Sequence, residues 1–101
     1  MDRKLRLDQA AIAAFCQSNH IRKLSLFGSA LHDRFRPDSD VDMLVEFFPD
    51  AQVGLFKMAA LERELSDIVG RKVDLRTAAD LSRYFRQAVL DEAEVQFAAA
   101  G

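Results

Sequence analysis

Between Asp40 and Phe47 the chain alternates between polar and apolar residues, broken only at Leu44. Val41, Met43, Val45 and Phe47 fall on one side of an extended strand, and Asp40, Asp42, Leu44 and Glu46 fall on the other, because successive side chains of a strand point to opposite faces. A strand that must bury one face and presents carboxylates on the other belongs to a sheet covered by helices on one side only. The expected fold class is therefore α+β, two-layer, with a small mixed sheet and helices packed on the face opposite the acids.

The rest of the chain supplies matching elements. Leu7 to Ser18 reads as an opening helix with Ile12, Phe15 and Cys16 on its apolar side and Asp8 at its start. Ile21 to Phe27 reads as a strand that stops at Gly28-Ser29, and Ala30 to Phe35 as a short helix ended by Pro37. After Phe48-Pro49-Asp50, the residues Leu55, Met58, Leu61, Leu65, Ile68 and Val69 recur at helical spacing up to Gly70. Val73-Asp74-Leu75 follows as a short strand. Ala79 to Phe97 is read as a last helix, with Leu81, Tyr84, Phe85, Ala88 and Val89 as a stripe and Leu90, Ala93 and Phe97 as a surplus apolar surface. The tail Ala98 to Gly101 is expected to fray.

Composition narrows the class of function. With 101 residues there is room for one domain, and a length this short leaves none for a second catalytic lobe. Fourteen Lys and Arg against sixteen Asp and Glu give a net charge of −2, so no basic field is available to hold a nucleic acid by counterion release, and stable nucleic-acid binding is not expected. Cys16 is the single cysteine, which leaves no intrachain disulfide or thiolate zinc cage and suits a reducing, cytoplasmic setting. The longest apolar runs fall far short of a membrane span, so no membrane partner is expected.

The chemistry concentrates in Gly28-Ser29, ten intervening residues, and Asp40-Val41-Asp42. Two carboxylates at i and i+2 on a strand lie on one side, where their repulsion calls for a cation or a proton. Oxygen ligands without nearby His or Cys favour Mg²⁺ or Mn²⁺, and Mg²⁺ completes its shell with water and phosphate oxygens. Gly28 at a strand end lets a ligand approach the backbone, and Ser29 adds a hydroxyl donor for a nucleotide triphosphate. Asp74 shares the acidic face if its strand pairs with that of Asp42, and three carboxylates can hold two metals for an in-line displacement at an α-phosphorus.

This pattern resembles the nucleotidyltransferase fold of the DNA polymerase beta superfamily, and its smallest branch, the minimal nucleotidyltransferases of the MntA type, over nearly the whole chain. The resemblance implies a single minimal nucleotidyltransferase domain spanning 1–101. It implies that Gly28 and Ser29 hold the triphosphate of ATP, that Asp40 and Asp42 ligate two Mg²⁺ ions, and that Asp74 completes the second metal and helps deprotonate the acceptor hydroxyl. Many members carry an arginine directly after Gly-Ser where this chain has Ala30, so Arg34, Arg36 or a partner residue would supply that phosphate contact. The implied activity is transfer of AMP from ATP to a hydroxyl of a protein partner, with the chain as the antitoxin of a HEPN-type toxin. A non-catalytic antitoxin that acts by binding and a small-molecule nucleotidyltransferase subunit stand as alternatives, and homo- or hetero-oligomerisation stays open.

Plain structural roles suit the other polar residues. Asp38 belongs to a turn, Glu46 to a surface ion pair, and His20 and His32 to the surface, since no second His or Cys stands at ligand spacing. Tyr84 is expected to be half-buried in the last helix. Arg71, Lys72 and Arg76 read as scattered surface charge.

Overall fold

The computed structural model describes residues 7–28 and 40–99. The first helix, α1 (Gln9–Ser18), begins where the Asp8 carboxylate accepts the Ala11 N–H at 3.1 Å, a side-chain cap for an otherwise orphaned helix donor. It buries Ile12, Phe15 and Cys16, the three residues the periodicity selects. Burial pushes the Cys16 thiol up to about 12, which leaves it a small apolar filler. The chain then turns through His20, whose φ of 57° is left-handed, into β1 (Ile21–Phe27).

Strand β2 (Val41–Phe47) is central. It runs antiparallel to β1, with Leu24 opposite Val45 and Leu26 opposite Met43. It runs parallel to β3 (Val73–Arg76), with Val41 beside Val73 and Met43 beside Leu75. Every one of these residues joins the buried cluster that α1 and α2 (Leu55–Val69) cover. Helix α2 contributes Leu61 and Leu65 to it, while Met58, Ile68 and Val69 pack at its margin. Leu55, expected on that stripe, is 89% exposed because the first turn of the helix does not reach the core. The helix ends at Gly70, where a φ of +80° gives the left-handed cap that glycine adopts without strain.

The C-terminal quarter departs from the sequence reading. In place of one helix over Ala79 to Phe97 there is a 3-10 turn (Ala78–Asp80), a short helix α3 (Arg86–Glu92) and a strand β4 (Glu94–Ala98) that pairs antiparallel with β1. The sheet order is β3-β2-β1-β4. The Asp80 carboxylate accepts the Thr77 N–H at 3.0 Å in a capping box that starts the turn. The outer edge of β1 would otherwise leave its backbone groups unpaired, and that long-range demand overrides the local helix preference. A bulge hides the strand in the sequence. Phe97 stands opposite Leu24 but Val95 opposite Ser25, so the two residues, alike in parity, lie on opposite faces.

Phe97 therefore packs on the main core, Leu90 is left 41% exposed, and Tyr84 sits 86% exposed in a turn. Ala98 lies within β4, and the Ala99 N–H donates to Arg22 O at 2.8 Å, so these two tail residues are tied down. The expected helix over Ala30 to Phe35 lies outside the described residues. Two layers result, with α1 and α2 on one face of a mixed sheet. Across the other face runs a small cap in which Leu81, Val89 and Ala93 meet Phe27 and Leu44. No described helix is long and apolar enough to cross a membrane.

Candidate active site

The sheet register places the acids. Asp42 stands opposite Phe27 on one side and beside Asp74 on the other, and directly paired residues of neighbouring strands share a face. Asp42 and Asp74 thus sit together on the face that α1 and α2 leave free, at the end of β1 where Gly28 begins the turn. Asp40 precedes β2 by one residue, with its carboxylate half-exposed.

Gly28 is required there for two separate reasons. Its φ of +70° lies in the left-handed region, and a Cβ built on it would collide with the Asp42 Oδ2. Any other residue would be strained and would displace the carboxylate. Ser29, the other predicted phosphate contact, lies outside the described residues, as do Ala30, His32, Arg34, Arg36 and Asp38.

Three charged neighbours act on Asp42. Its carboxyl is pushed above the ordinary value of 3.8, first by loss of solvent, then by the negative charges of Asp74 and Asp40, with Arg76 acting against them. Arg76 Nη2 donates to Asp74 Oδ2 at 3.0 Å, and Lys72 Nζ lies 4.0 Å from Asp40 Oδ2. These two cations, read from the sequence as scattered surface charge, are the counter-charges of the acidic group. Their role depends on the β2–β3 register, which spacing alone does not give.

A hollow of about 330 Å³ opens over the pair, lined by Phe27, Asp42, Asp74, Arg76, Asp80 and Phe85 among others. Asp80 is not singled out by the sequence, whose periodicity places it in a helix where the structure has a 3-10 turn. A larger, mostly apolar hollow of about 440 Å³ lies beside Ser25, Leu44, Leu90 and Ala93. The cluster of Phe27, Leu44 and Leu81 contributes to the walls of both. Chemistry assigns the smaller hollow as the candidate site, since a raised carboxyl with like-charged neighbours marks functional sites more often than an apolar groove does. Glu46 stays away from it, in an exposed ion pair with Arg22.

The donor set is oxygen only, which suits a hard divalent cation such as Mg²⁺. Among the described residues, no three His, Cys, Asp or Glu side chains close around a single metal point. In kind, Asp40, Asp42 and Asp74 fit the ion; as placed, Arg76 and Lys72 supply the positive charge.

Comparison with known proteins agrees with this geometry. Residues 10–95 match the model of the family described as nucleotidyltransferase domain. The protein adenylyltransferase MntA of Thermococcus cleftensis is 35% identical over 72 residues, 71% of each chain. A solved structure described as a minimal nucleotidyltransferase superposes with a TM-score of 0.69 at 30% identity, over 84% of this chain and 85% of that one. A toxin-antitoxin crystal structure with AMP-PNP shares the fold at 20% identity, with a TM-score of 0.73 over 92% of this chain and 75% of that one.

Proposed function

We propose that this chain, which belongs to the nucleotidyltransferase domain family, transfers AMP from ATP to a hydroxyl of a protein partner and acts as the antitoxin of a HEPN-type toxin. The observation that carries the chemistry is the register pairing of Asp42 with Asp74 above Gly28. The name of the Thermococcus cleftensis relative supports the acceptor class. So does a fold neighbour, an MNT antitoxin in complex with the tri-AMPylated HEPN toxin of Shewanella oneidensis, 18% identical with a TM-score of 0.64 over 90% of this chain and 70% of that one.

In this reading Gly28 and Ser29 receive the triphosphate, where a side chain at 28 would block its approach. Asp40, Asp42 and Asp74 would hold two Mg²⁺ ions, whose positive charge would screen the triphosphate and the acids from one another. The acceptor oxygen forms a bond to the α-phosphorus as the bond between the α- and β-phosphates breaks, and pyrophosphate leaves in line. Asp74 accepts the proton of the acceptor hydroxyl. The proton affinity of Asp42 is raised by loss of solvent and by its acidic neighbours, so a proton and a cation would compete for its carboxylate. In this reading the partner that carries the acceptor hydroxyl completes the pocket.

The ion pair between Arg76 and Asp74 favours a second reading, in which the acids are already neutralised and the antitoxin works by binding alone. One experiment separates the two. The chain is co-expressed with a HEPN-type partner, and the intact mass of that partner is recorded. A gain of whole adenylyl units that disappears with Asp42→Asn is the expected result. An unmodified partner that still copurifies and is inhibited supports binding alone.

A further inference from the structure

Strand β3 is an edge strand. In a parallel edge strand, the N–H groups of alternate residues point away from the sheet and need partners elsewhere. The Lys72 carbonyl accepts from Val41 N–H at 2.8 Å, so Lys72 and Asp74 face β2 with their backbones while Val73 and Leu75 direct theirs outward. Both outward N–H groups end on side chains of α2. Val73 N–H donates to Ser66 Oγ at 2.9 Å, and Leu75 N–H donates to Glu62 Oε2 at 2.8 Å.

The spacing is what allows this. Four residues of helix rise about 6 Å and two residues of strand about 6.6 Å, so acceptors at 62 and 66 match donors at 75 and 73 when helix and strand run antiparallel. Ser66 is itself held, since its hydroxyl donates to the Glu62 carbonyl at 2.7 Å. Between the two fixed amides stands Asp74. A slip of β3 by one residue would turn Asp74 into the core and put Val73 and Leu75 on the acidic face.

We infer that Glu62 and Ser66 are positioning residues for Asp74: from the opposite side of the sheet edge they fix the backbone on either side of it and so deliver its carboxylate to Asp42. The inference rests on the proposed reading of Asp74 as a metal-holding carboxylate. Neither residue lines the acidic hollow, and Glu62 acts through its acceptor oxygen, which a glutamine also provides.

The test uses the full chain with Glu62→Ala, Glu62→Gln and Ser66→Ala, the last guarding against a Glu62→Ala variant that does not fold. Amide exchange at Val73 and Leu75 is read by NMR, Mn²⁺ affinity by electron paramagnetic resonance with a non-hydrolysable ATP analogue, and AMP transfer with the partner. In Glu62→Ala, exchange at Leu75 is expected to accelerate about tenfold or more with Met43 and Val45 unaffected. Mn²⁺ affinity is expected to fall about tenfold. The transfer kcat is expected to fall about tenfold or more with KM for ATP within about twofold. Ser66→Ala should do the same at Val73, and Glu62→Gln should restore all three readouts to within about twofold of the parent. Faster exchange with unchanged Mn²⁺ affinity and kcat would reduce the pair to a strand-edge cap and overturn the inference. If the parent chain transfers no AMP, the proposed function fails, and the Mn²⁺ arm alone decides the inference: weakened affinity sustains it, while unchanged affinity or no Mn²⁺ binding by the parent overturns it.

Discussion

The two faces of β2 are built by opposite rules. On the helix side Val41, Met43 and Val45 are almost fully buried, and each meets an apolar neighbour on β1 or β3. On the other side Asp42 meets Asp74, loses solvent and is pushed toward its protonated form. The first face lowers the free energy of the fold, and the second stores a local conflict that, in the proposed reading, a cation or ligand would relieve. One strand thus contributes both to the core and to the candidate site, separated by parity, with Leu44 packed into the small apolar cap beside the acids.

The sharpest way to break the comparison is to damage one face alone. Leu65 is fully buried under the sheet. Leu65→Ala is expected to cost about 3 kcal/mol and lower Tm by on the order of 15 °C, with transfer by the folded protein unchanged in the cold. Chemical denaturation alongside the AMP assay checks it.

Gly28 and Gly70 give a smaller and more selective contrast. Both have positive φ, but a Cβ at 28 meets the Asp42 carboxylate whereas one at 70 meets nothing within 4 Å. Each change to alanine should cost about 1–2 kcal/mol for the backbone. Only Gly28→Ala should also lower transfer, by about tenfold or more, because it displaces Asp42. Equal activity in the two variants, measured at matched folded fraction, would contradict the placement of Asp42 against Gly28.

The smallest effect concerns the conflict itself. Because the proton affinity of Asp42 is raised in the folded state, its contribution to stability is full below the ordinary value of 3.8 and is lost as pH rises through the raised value. Asp42→Asn removes that loss. The gain is small because the carboxyl is only partly buried. Thermal melts from pH 3 to 8 should show the difference closing on the acid side.

How far the sequence carried depended on whether a signal was local. With Asp8 and Gly70 marking helix ends, the α1, β2, α2 and β3 segments are legible because their periodicities are clean, and β1 because its β-compatible apolar residues stop at Gly28. Strand β4 was not, since Glu94 to Ala98 pairs with a strand some seventy positions earlier, and its bulge scrambles the alternation that would reveal it. In the site, Gly28, Asp40, Asp42 and Asp74 stand out by residue type and spacing. Arg76 and Asp80 do not, because their proximity follows from the β2–β3 register and from a 3-10 turn. Glu62 was still less visible. It occupies an ordinary helix position, and only the matched rise of helix and strand puts its carboxylate on the Leu75 amide.

Where the label of ATP goes tests nucleotide transfer most directly. The chain and a HEPN-type partner are incubated with Mg²⁺ and ATP labelled either at the α- or at the γ-phosphate, and the partner is then isolated under denaturing conditions. The α-label should remain on the partner, vanish with Asp42→Asn, and have no counterpart with the γ-label. A γ-label on the partner, or no label on a partner that is nonetheless bound and inhibited, would contradict nucleotide transfer as the work of the acidic face.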